Sequence, residues 1–392
     1  MNELIRGFGI LLRRFVFSSH AVTRNPPFIR DANNVQRIWN YFVIASLPSC
    51  LIGLWSLGHQ TNLAIADFGL ADVPGWRAWL LVETGAGFDP WSMTDCVAHG
   101  ALYFLPIFGV ALLVGAFWES IFAVFRRKPL DEGLLYIAWF YALMMPAAAP
   151  LYQVAHGMAF GIVIGKLIFG GSGRYLVNPA LLGIAFLVFS YPELMFGMGA
   201  WVPVAGYDQP TALELVSEEG GLGVLAAVDY HLGDLFLGDQ PGAVGVVSVL
   251  GAVIGALFLV WNGVASWRVI AGAMGGLIAV ALIGNALAPE HPLLSIPWYW
   301  QALLGGFAFG TVFIATDPVA GPMTDPGRWG FGLMVGVLTV LMRLGSVSSY
   351  EAVIFAILLA SLFSPLVDYV VAECNIRRRR KRLTELRGVG DG

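Results

Sequence analysis

The sequence predicts an all-α integral membrane protein with about ten transmembrane helices, arranged as two inverted five-helix halves that contain interrupted helices. Charge is scarce, because 57% of the 392 residues are hydrophobic and 12% are charged, whereas about 25% are charged in an average soluble domain. The mean hydropathy is +0.73. Apolar runs of about the 20 residues that a spanning helix needs recur along the chain. These features indicate a chain built for the lipid bilayer.

The apolar runs give the predicted spans in order. They lie near residues 40–58, 101–124, 134–152, 155–170, 178–191, 243–261, 268–287, 297–316, 329–345 and 351–371. The fourth and fifth runs are short and rich in glycine, and the fifth opens at Asn178-Pro179-Ala180. Short, interrupted spans are typical of places where a membrane protein turns polar backbone groups toward a buried ligand.

Basic residues predict the orientation, because cytoplasmic loops carry an excess of Lys and Arg. If the spans alternate, these residues fall on one side: Arg126, Arg127, Lys128, Lys166, Arg174, Arg268, Arg328 and Arg377 to Arg382. That side is predicted to be the cytoplasm. An even number of spans then places both termini there, and it places the acidic loop that contains Thr211 in the periplasm. Thr211 is expected to be solvated in that loop.

The same pattern predicts the organisation of the chain. Residues 1–38 are expected to form an amphipathic segment on the cytoplasmic membrane surface. Residues 39–373 form the transmembrane domain, with halves at about 39–191 and 243–373 and a periplasmic loop at 192–242. Residues 374–392 form a basic cytoplasmic tail. The three cysteines, Cys50, Cys96 and Cys374, have no metal-ligand spacing, so no metal site is predicted.

Two motifs carry polar residues at the ends of spans. Asn178 precedes Pro179 at the start of the fifth span, and Asp317 precedes Pro318 at the end of the eighth. Asn178 is explained equally well as a helix cap. An intramembrane acid beside Gly and Pro, however, often marks a polar pocket. The topology places Asn178 and Asp317 at the same cytoplasmic face, where they could line one site between the halves.

Longer strings resemble a known family. These are "GVALLVGAFWESIFAVFRRKPLDEGLL", "LMMPAAAPLYQVAHGMAFGIVIGKLIFGGSGRYLVNPALLGIAFLVFSYP", "TALELV" and "ATDPVAGPMTDPGRWGFGLMVGVLTVLMR". They closely resemble the B subunits of the sodium-translocating NADH:ubiquinone reductase, Nqr. The resemblance runs from about the first span to the basic tail, and it implies a multi-pass protein of the bacterial inner membrane.

The resemblance implies two flavins. An FMN would be joined through its phosphate to Thr211 by a separate flavin transferase, and a non-covalent riboflavin would bind at Asn178 and Asp317. The family usually has a Ser-Gly-Ala run just before the threonine, whereas this chain has Asp208-Gln209-Pro210. Tyr175 stands where relatives commonly have another Asn, and in the riboflavin site its ring could stack on the flavin, with one hydrogen bond lost.

The resemblance also implies a quinone site and an ion path. Gly115, Ala116 and Trp118, at the cytoplasmic end of the second span, would approach the ubiquinone headgroup. Glu119 and Asp368 match positions linked with Na⁺. From the residues alone, the quinone residues are explained equally well as a packing notch on the helix. Each of the two acids is explained equally well as a carboxylate that faces a loop.

Partners follow from what the chain lacks. It has neither a dinucleotide-binding motif nor a set of cysteines for an iron–sulfur cluster. The resemblance therefore implies an F subunit that brings NADH, FAD and iron–sulfur, a C subunit that bears FMN, the membrane subunits A, D and E, and membrane lipid. No nucleic-acid partner is predicted. Two alternatives stay open: an Rnf-type D subunit of a different electron-transport complex, and a flavin-free transporter or channel of the same inverted-repeat architecture.

Overall fold

The computed structural model describes residues 34–69, 75–127, 133–192, 195, 198–204, 206–207, 209–219, 221–228, 230–345 and 350–390. Within these ranges the regular structure is helical and contains no strand. Several of the helices are long and apolar, as described below. The predicted class, an all-α membrane protein, is confirmed.

The helices follow one another in this order. The first are α1 (Val35–Asp67), α2 (Trp76–Glu83), α3 (Met93–Arg126), α4 (Leu134–Met144), α5 (Leu151–Phe160) with a π-helix at Gly161–Leu167, α6 (Pro179–Ser190) and a 3₁₀ turn at Met198–Ala200. They continue with α7 (Ala212–Glu219), α8 (Gly223–Ala227), α9 (Leu232–Leu237), α10 (Val249–Trp261), α11 (Trp267–Leu287), α12 (Trp298–Leu303), α13 (Phe307–Phe309) with a second π-helix at Gly310–Ile314, α14 (Asp325–Arg343) and α15 (Tyr350–Gly390).

Among the described residues, four helical stretches are long and apolar enough to cross a membrane. They are Val35–Asp67, Met93–Arg126, Trp267–Leu287 and Ala352–Arg382. Shorter apolar helices occur at Leu134–Met144, Pro179–Ser190 and Val249–Trp261. A helix of 33 residues, such as α1, is about 50 Å long at 1.5 Å per residue, so it projects beyond a hydrocarbon core of about 30 Å.

Two of the predicted spans contain interruptions. The stretch predicted near 155–170 changes from α-helix to π-helix at Gly161. The stretch predicted near 297–316 is divided into α12, α13 and the second π-helix, and the turn between α12 and α13 holds Gly305 and Gly306 at φ 62° and 67°. Glycine adopts this left-handed conformation at little cost, which explains why the helix breaks there.

The π-helices have a common local sequence of elements. Each is followed by a loop and then by a helix that begins with a polar cap and carries a proline in its first turn. Asn178 caps α6, and Thr324 caps α14. π-helical turns are frequent at functional sites. A proline in the first turn of the following helix removes a backbone donor that would have no partner.

Glycines allow α11 and α14 to pack closely. Gly272 and Gly276 of α11 face Gly332 and Gly336 of α14, and in both helices the two glycines are four residues apart. A methyl group at Gly272 would lie 2.8 Å from the carbonyl oxygen of Trp329. Small residues at this spacing let the helix backbones approach where lipid gives no hydrophobic drive for association.

The first and last described helices can be compared with the predicted terminal segments, residues 1–38 and 374–392. The predicted N-terminal segment, residues 1–38, lies outside the described residues up to residue 33, and α1 already begins at Val35. At the other end α15 is continuous from Tyr350 to Gly390. The predicted basic tail is therefore, as far as Gly390, an extension of the last helix.

Candidate functional site

The predicted pair Asn178 and Asp317 is in direct contact in the structure, together with Tyr175. The Tyr175 hydroxyl donates to the Asp317 carboxylate, 3.1 Å from Oδ1 and 3.0 Å from Oδ2. Asn178 Nδ2 donates to Asp317 Oδ2 at 2.8 Å and to the Tyr136 hydroxyl oxygen at 3.3 Å. The backbone N–H of Val319 donates to Asp317 Oδ1 at 2.9 Å. We call Tyr136, Tyr175, Asn178 and Asp317 the Asp317 cluster.

The chemistry of the Asp317 cluster is that of a buried acceptor surrounded by neutral donors. Its four side chains are no more than 2% exposed. An ionised carboxylate is an acceptor at both oxygens, which matches a phenol, an amide and a backbone N–H as its partners. Buried polar groups need such partners to offset the loss of water. The arrangement therefore satisfies the Asp317 carboxyl group by hydrogen bonds from uncharged groups, with no cation among these contacts.

Helix caps and aromatic packing place these residues. Asn178 Oδ1 accepts from the backbone N–H of Ala180 at 2.9 Å, which confirms its predicted role as a cap of α6. Its amide nitrogen remains available for Asp317. From α4, Phe140 packs against the second π-helix, with its ring centroid 5.7 Å from that of Phe313. This contact brings Tyr136, one turn away on the same helix, to the cluster.

A cleft of about 270 Å³ opens beside Asp317. Its walls include Thr316 and Met323, from the loop between the second π-helix and α14. They also include Trp267 and Arg268 of α11 and Arg328 of α14. Arg268 and Arg328 both contact the Asp325 carboxylate, at 3.2 and 3.4 Å. The cleft thus joins an aromatic wall, a buried carboxylate and two cations that share an acidic partner. Ligand sites in proteins commonly combine an apolar wall with a few polar groups.

Glu119 is paired with Lys166 inside the protein. Lys166 Nζ lies 2.5 Å from Glu119 Oε1, and the side chains are 0% and 1% exposed respectively. Glu119 comes from α3, and Lys166 comes from the first π-helix. Lys166, which the sequence analysis counts among the basic residues of the cytoplasmic side, is thus buried in the protein. An isolated ammonium is costly to bury, and the carboxylate of Glu119 removes that cost.

The three residues predicted for quinone do not share one environment. Gly115 is buried, and a methyl group there would meet the side chains of Leu134 and Met158, the latter at 3.0 Å. Ala116 and Trp118 are half-buried. Gly115 therefore provides a close helix contact, while Ala116 and Trp118 lie on partly open sides of α3.

Asp368 holds the start of α14. Its carboxylate accepts from the backbone N–H groups of Met323 and Thr324, at 2.7 and 3.1 Å, and from the Thr324 hydroxyl at 2.5 Å. Thr324 Oγ1 in turn accepts from the backbone N–H of Gly327 at 3.2 Å. These contacts satisfy backbone donors that the first turn of a helix leaves without partners. These hydrogen bonds explain why an acidic residue, Asp368, occurs at this half-buried position.

Thr211 is buried, and the expectation that it lies in a solvated loop is wrong. It is 8% exposed, and it immediately precedes α7. Its N–H donates to Glu214 Oε2 at 2.7 Å, while the N–H of Glu214 donates to Thr211 Oγ1 at 3.4 Å. This reciprocal pair is a capping box, and the sequence Thr-x-x-Glu at 211–214 already indicates it.

The helix that follows Thr211 packs in a small hydrophobic cluster of its own. Ala212, Leu213 and Val216 are buried there with Ile296 and Leu304, which flank α12. Burial of this apolar face holds the capping box against the membrane helices. The predicted periplasmic loop thus contains packed structure around Thr211.

Sequence reasoning missed two buried cations and an aromatic partner. Tyr136 carries no motif, because an apolar span routinely includes tyrosine. Lys166 and Arg343 do carry a signal, since a cation within an apolar run needs a partner. Arg343 is 2% exposed and donates to the Gln301 and Leu304 carbonyl oxygens, both at 2.7 Å, at the end of α12. It compensates the broken helix there, as basic residues commonly do at helix C-termini.

The model of the NQR2, RnfD, RnfE family matches residues 22–377. The chain belongs to that family. It is 41% identical over 371 residues to the B subunit of the Na⁺-translocating NADH-quinone reductase of Azotobacter vinelandii, a match that covers 94% of this chain and 92% of the relative. It is 42% identical over 367 residues to the protein of the same description from Chromohalobacter salexigens, with 93% and 89% covered. The predicted family is thereby confirmed.

Proposed function

We propose that this chain is the B subunit of a Na⁺-translocating NADH–quinone reductase, a membrane flavoprotein that passes electrons from a covalent FMN through riboflavin to ubiquinone. The observation that carries this proposal is the extent of the similarity, 41% identity over 94% of the chain and 92% of the Azotobacter vinelandii relative. Agreement over nearly two whole chains includes every element that forms the Asp317 cluster, rather than a single motif.

The Asp317 cluster fits a non-covalent riboflavin. A carboxylate offers about four lone-pair positions. Asn178 and Val319 each donate to one oxygen of Asp317, and the Tyr175 hydroxyl contacts both oxygens. The imide N–H of a flavin ring would therefore have to take one of the positions that Tyr175 now shares. The cleft beside it is close to the lower end of the range of about 300–1,000 Å³ that is usual for ligand pockets, and Trp267 supplies a flat apolar wall. A bound flavin would supply the redox chemistry, which the carboxyl, amide and phenol groups of the cluster do not provide.

Thr211 fits a phosphoester-linked FMN because its side-chain oxygen can be esterified and still cap α7. Its Oγ1 serves α7 as an acceptor, and an ester oxygen keeps a lone pair for that role. A phosphate at this point lies at a helix N-terminus, where the helix dipole and free N–H groups favour negative charge. The Glu214 carboxylate opposes that effect. Because Thr211 is buried, the transferase would act when the segment opens locally or before it packs.

Ubiquinone is assigned to the partly open side of α3. Gly115 is already in contact with Leu134 and Met158, so the headgroup would approach Ala116 and Trp118 instead. Trp118 offers a flat ring, and Ala116 is small enough to let a planar headgroup lie against the helix. Of the three residues predicted to contact the quinone, Ala116 and Trp118 are therefore retained.

Na⁺ is assigned as the transported ion, with Glu119 as its carboxylate. Asp368 is less suitable, because three donors from Met323 and Thr324 already occupy it. The proposal keeps both termini in the cytoplasm and Thr211 in the periplasm of a bacterial inner membrane. NADH oxidation would come from an F subunit with FAD and iron–sulfur, next to the A, C, D and E subunits.

Mass spectrometry of the purified complex tests the flavin assignment. Digestion of the chain should yield a peptide that contains Thr211 with the added mass of FMN less water, and acid extraction should release riboflavin. A colourless, flavin-free chain contradicts the proposal and favours a transporter. Flavins present without any quinone reduction in the complex would instead favour the Rnf-type protein, which belongs to the same family.

A further inference from the structure

Glu119 differs from the other buried carboxylates of the chain in the charge of its partner. Among the described residues Glu119, Glu214 and Asp317 have less than a tenth of their surface exposed. Glu214 caps a helix in the 192–242 segment, and Asp317 is held by neutral donors. Glu119 lies within the apolar helix α3 and is bound by an ammonium group. A monovalent cation thus already occupies a carboxylate inside a candidate membrane span.

We propose that Lys166 is a built-in counter-cation that competes with Na⁺ for the Glu119 carboxylate. This inference deepens the proposed function and rests on it. The pair is neutral as it stands. The ammonium lies against Glu119 Oε1, the atom that Na⁺ would have to contact, so binding of Na⁺ to that oxygen and the contact with Lys166 exclude each other. When Na⁺ takes the position, the ammonium turns away on its flexible stem and stays in the protein.

The position of Lys166 allows this exchange to reach the Asp317 cluster. Lys166 lies in a π-helix, a rare form that recurs at functional sites, and its four-carbon stem is flexible. Its carbonyl oxygen accepts from the backbone N–H of Gly171 at 3.1 Å. Gly171 begins the segment that carries Tyr175 and Asn178. One residue thus contacts the acid of the proposed ion path with its side chain and the proposed flavin loop with its backbone.

The exchange makes and breaks no covalent bond, but its charge must balance. When Na⁺ replaces the ammonium at Glu119, the region gains one positive charge. One electron taken up by the proposed flavin at the Asp317 cluster, whose loop is hydrogen-bonded to Lys166, would balance that gain. We therefore expect Na⁺ to bind more tightly when the complex is reduced than when it is oxidised.

Replacing Lys166 by Met in the assembled complex tests the competition without relying on turnover. The Met variant leaves a buried carboxylate without its cation, so its thermal unfolding midpoint should fall in KCl. In NaCl of the same ionic strength Na⁺ should take the vacated position and restore most of the loss. The Na⁺ concentration for half of this effect should be about tenfold lower than in the wild type, because no competitor has to leave first.

Two further variants control this experiment. Glu119→Gln with Lys166→Met removes both charges, and its midpoint should be the same in NaCl and KCl. Lys166→Arg keeps the competing cation and should keep the wild-type dependence on Na⁺. Equal loss of stability of the Met variant in both salts overturns the proposal. So does its failure to assemble in NaCl, since Na⁺ would then be unable to replace the ammonium.

Failure of the proposed function gives a different result. A wild-type complex without flavin, or without NADH-driven quinone reduction, contradicts the function. The comparison of midpoints in NaCl and KCl still reports whether Na⁺ and Lys166 compete for Glu119.

Discussion

Asp317 and Glu119 are both buried at 2% exposure, but the protein stabilises their charges in opposite ways. Asp317 is surrounded by a phenol, an amide and a backbone N–H, which are fixed by helix caps and aromatic packing. Glu119 is bound by one long, flexible cation. The first arrangement relies on hydrogen bonds from uncharged groups, and the second pairs two opposite charges.

This difference indicates different uses. Neutral donors cannot be exchanged for a metal ion without breaking the fold around them, so the Asp317 cluster is suited to hold and orient an uncharged ligand by hydrogen bonds. A cation can be exchanged for another cation, because the carboxylate needs only one positive charge nearby. The Glu119 pair is accordingly suited to an ion path.

The largest expected effect comes from breaking the charged pair. Glu119→Gln leaves the Lys166 ammonium buried without its carboxylate, which should cost about 3–5 kcal/mol. The thermal unfolding midpoint of the detergent-solubilised complex measures this loss. Glu119→Gln with Lys166→Met is the matched control and should recover most of it. A single variant as stable as the wild type would show that the contact contributes nothing to stability.

A smaller effect is expected at the neutral cluster. Asp317→Asn keeps the shape but presents an amide NH₂ where Tyr175 and Asn178 now find acceptors, so a buried hydrogen bond is lost at about 1–3 kcal/mol. Riboflavin released by acid should decrease, while the covalent flavin should remain. Glu290→Gln is the control, because it changes an exposed carboxylate that lies outside both the cluster and the cleft. Full riboflavin content in Asp317→Asn would place the non-covalent flavin elsewhere.

Replacing Thr211 by Val should cause a modest loss of stability and a complete loss of covalent flavin. Thr211→Val removes the capping oxygen of α7 and should cost about 1 kcal/mol. Thr211→Ser keeps the capping oxygen, so its unfolding midpoint should match that of the wild type. Fluorescence of the denatured chain in a gel detects the attached flavin. A fluorescent band from the Val variant would contradict attachment at Thr211.

Ala116→Leu is expected to change stability least, by no more than about 0.5 kcal/mol, because the residue is half-buried. If the headgroup lies against this side of α3, the KM for quinone should rise while NADH still reduces the flavins. Leu113→Ala serves as a control on the exposed side of the same helix. An unchanged KM in the Leu variant at full flavin loading contradicts the quinone assignment.

The sequence predicts much of the fold and one of the two carboxylate sites compared here, that of Asp317. Apolar runs indicate the membrane helices, and the short, glycine-rich fourth run indicates its own interruption, whereas the break at Gly305 and Gly306 is not predicted. Asn178 and Asp317 are predicted to meet because the alternation of spans places both at the cytoplasmic face. The Glu119–Lys166 pair is harder to predict, since its members are 47 residues apart and Lys166 is also explained as a loop cation. The acidic neighbours of Thr211 predict a solvated loop, although the capping-box pattern at the same place indicates a packed helix start.

Transport by membrane vesicles tests the central claim most directly. Inverted inner-membrane vesicles would be prepared from cells that have or lack this chain, and NADH-driven quinone reduction and uptake of radioactive Na⁺ would be measured together. The account predicts that both activities require the chain and that the uptake persists when a protonophore collapses the proton gradient. Quinone reduction that depends on the chain but moves no Na⁺ into the vesicles would contradict it.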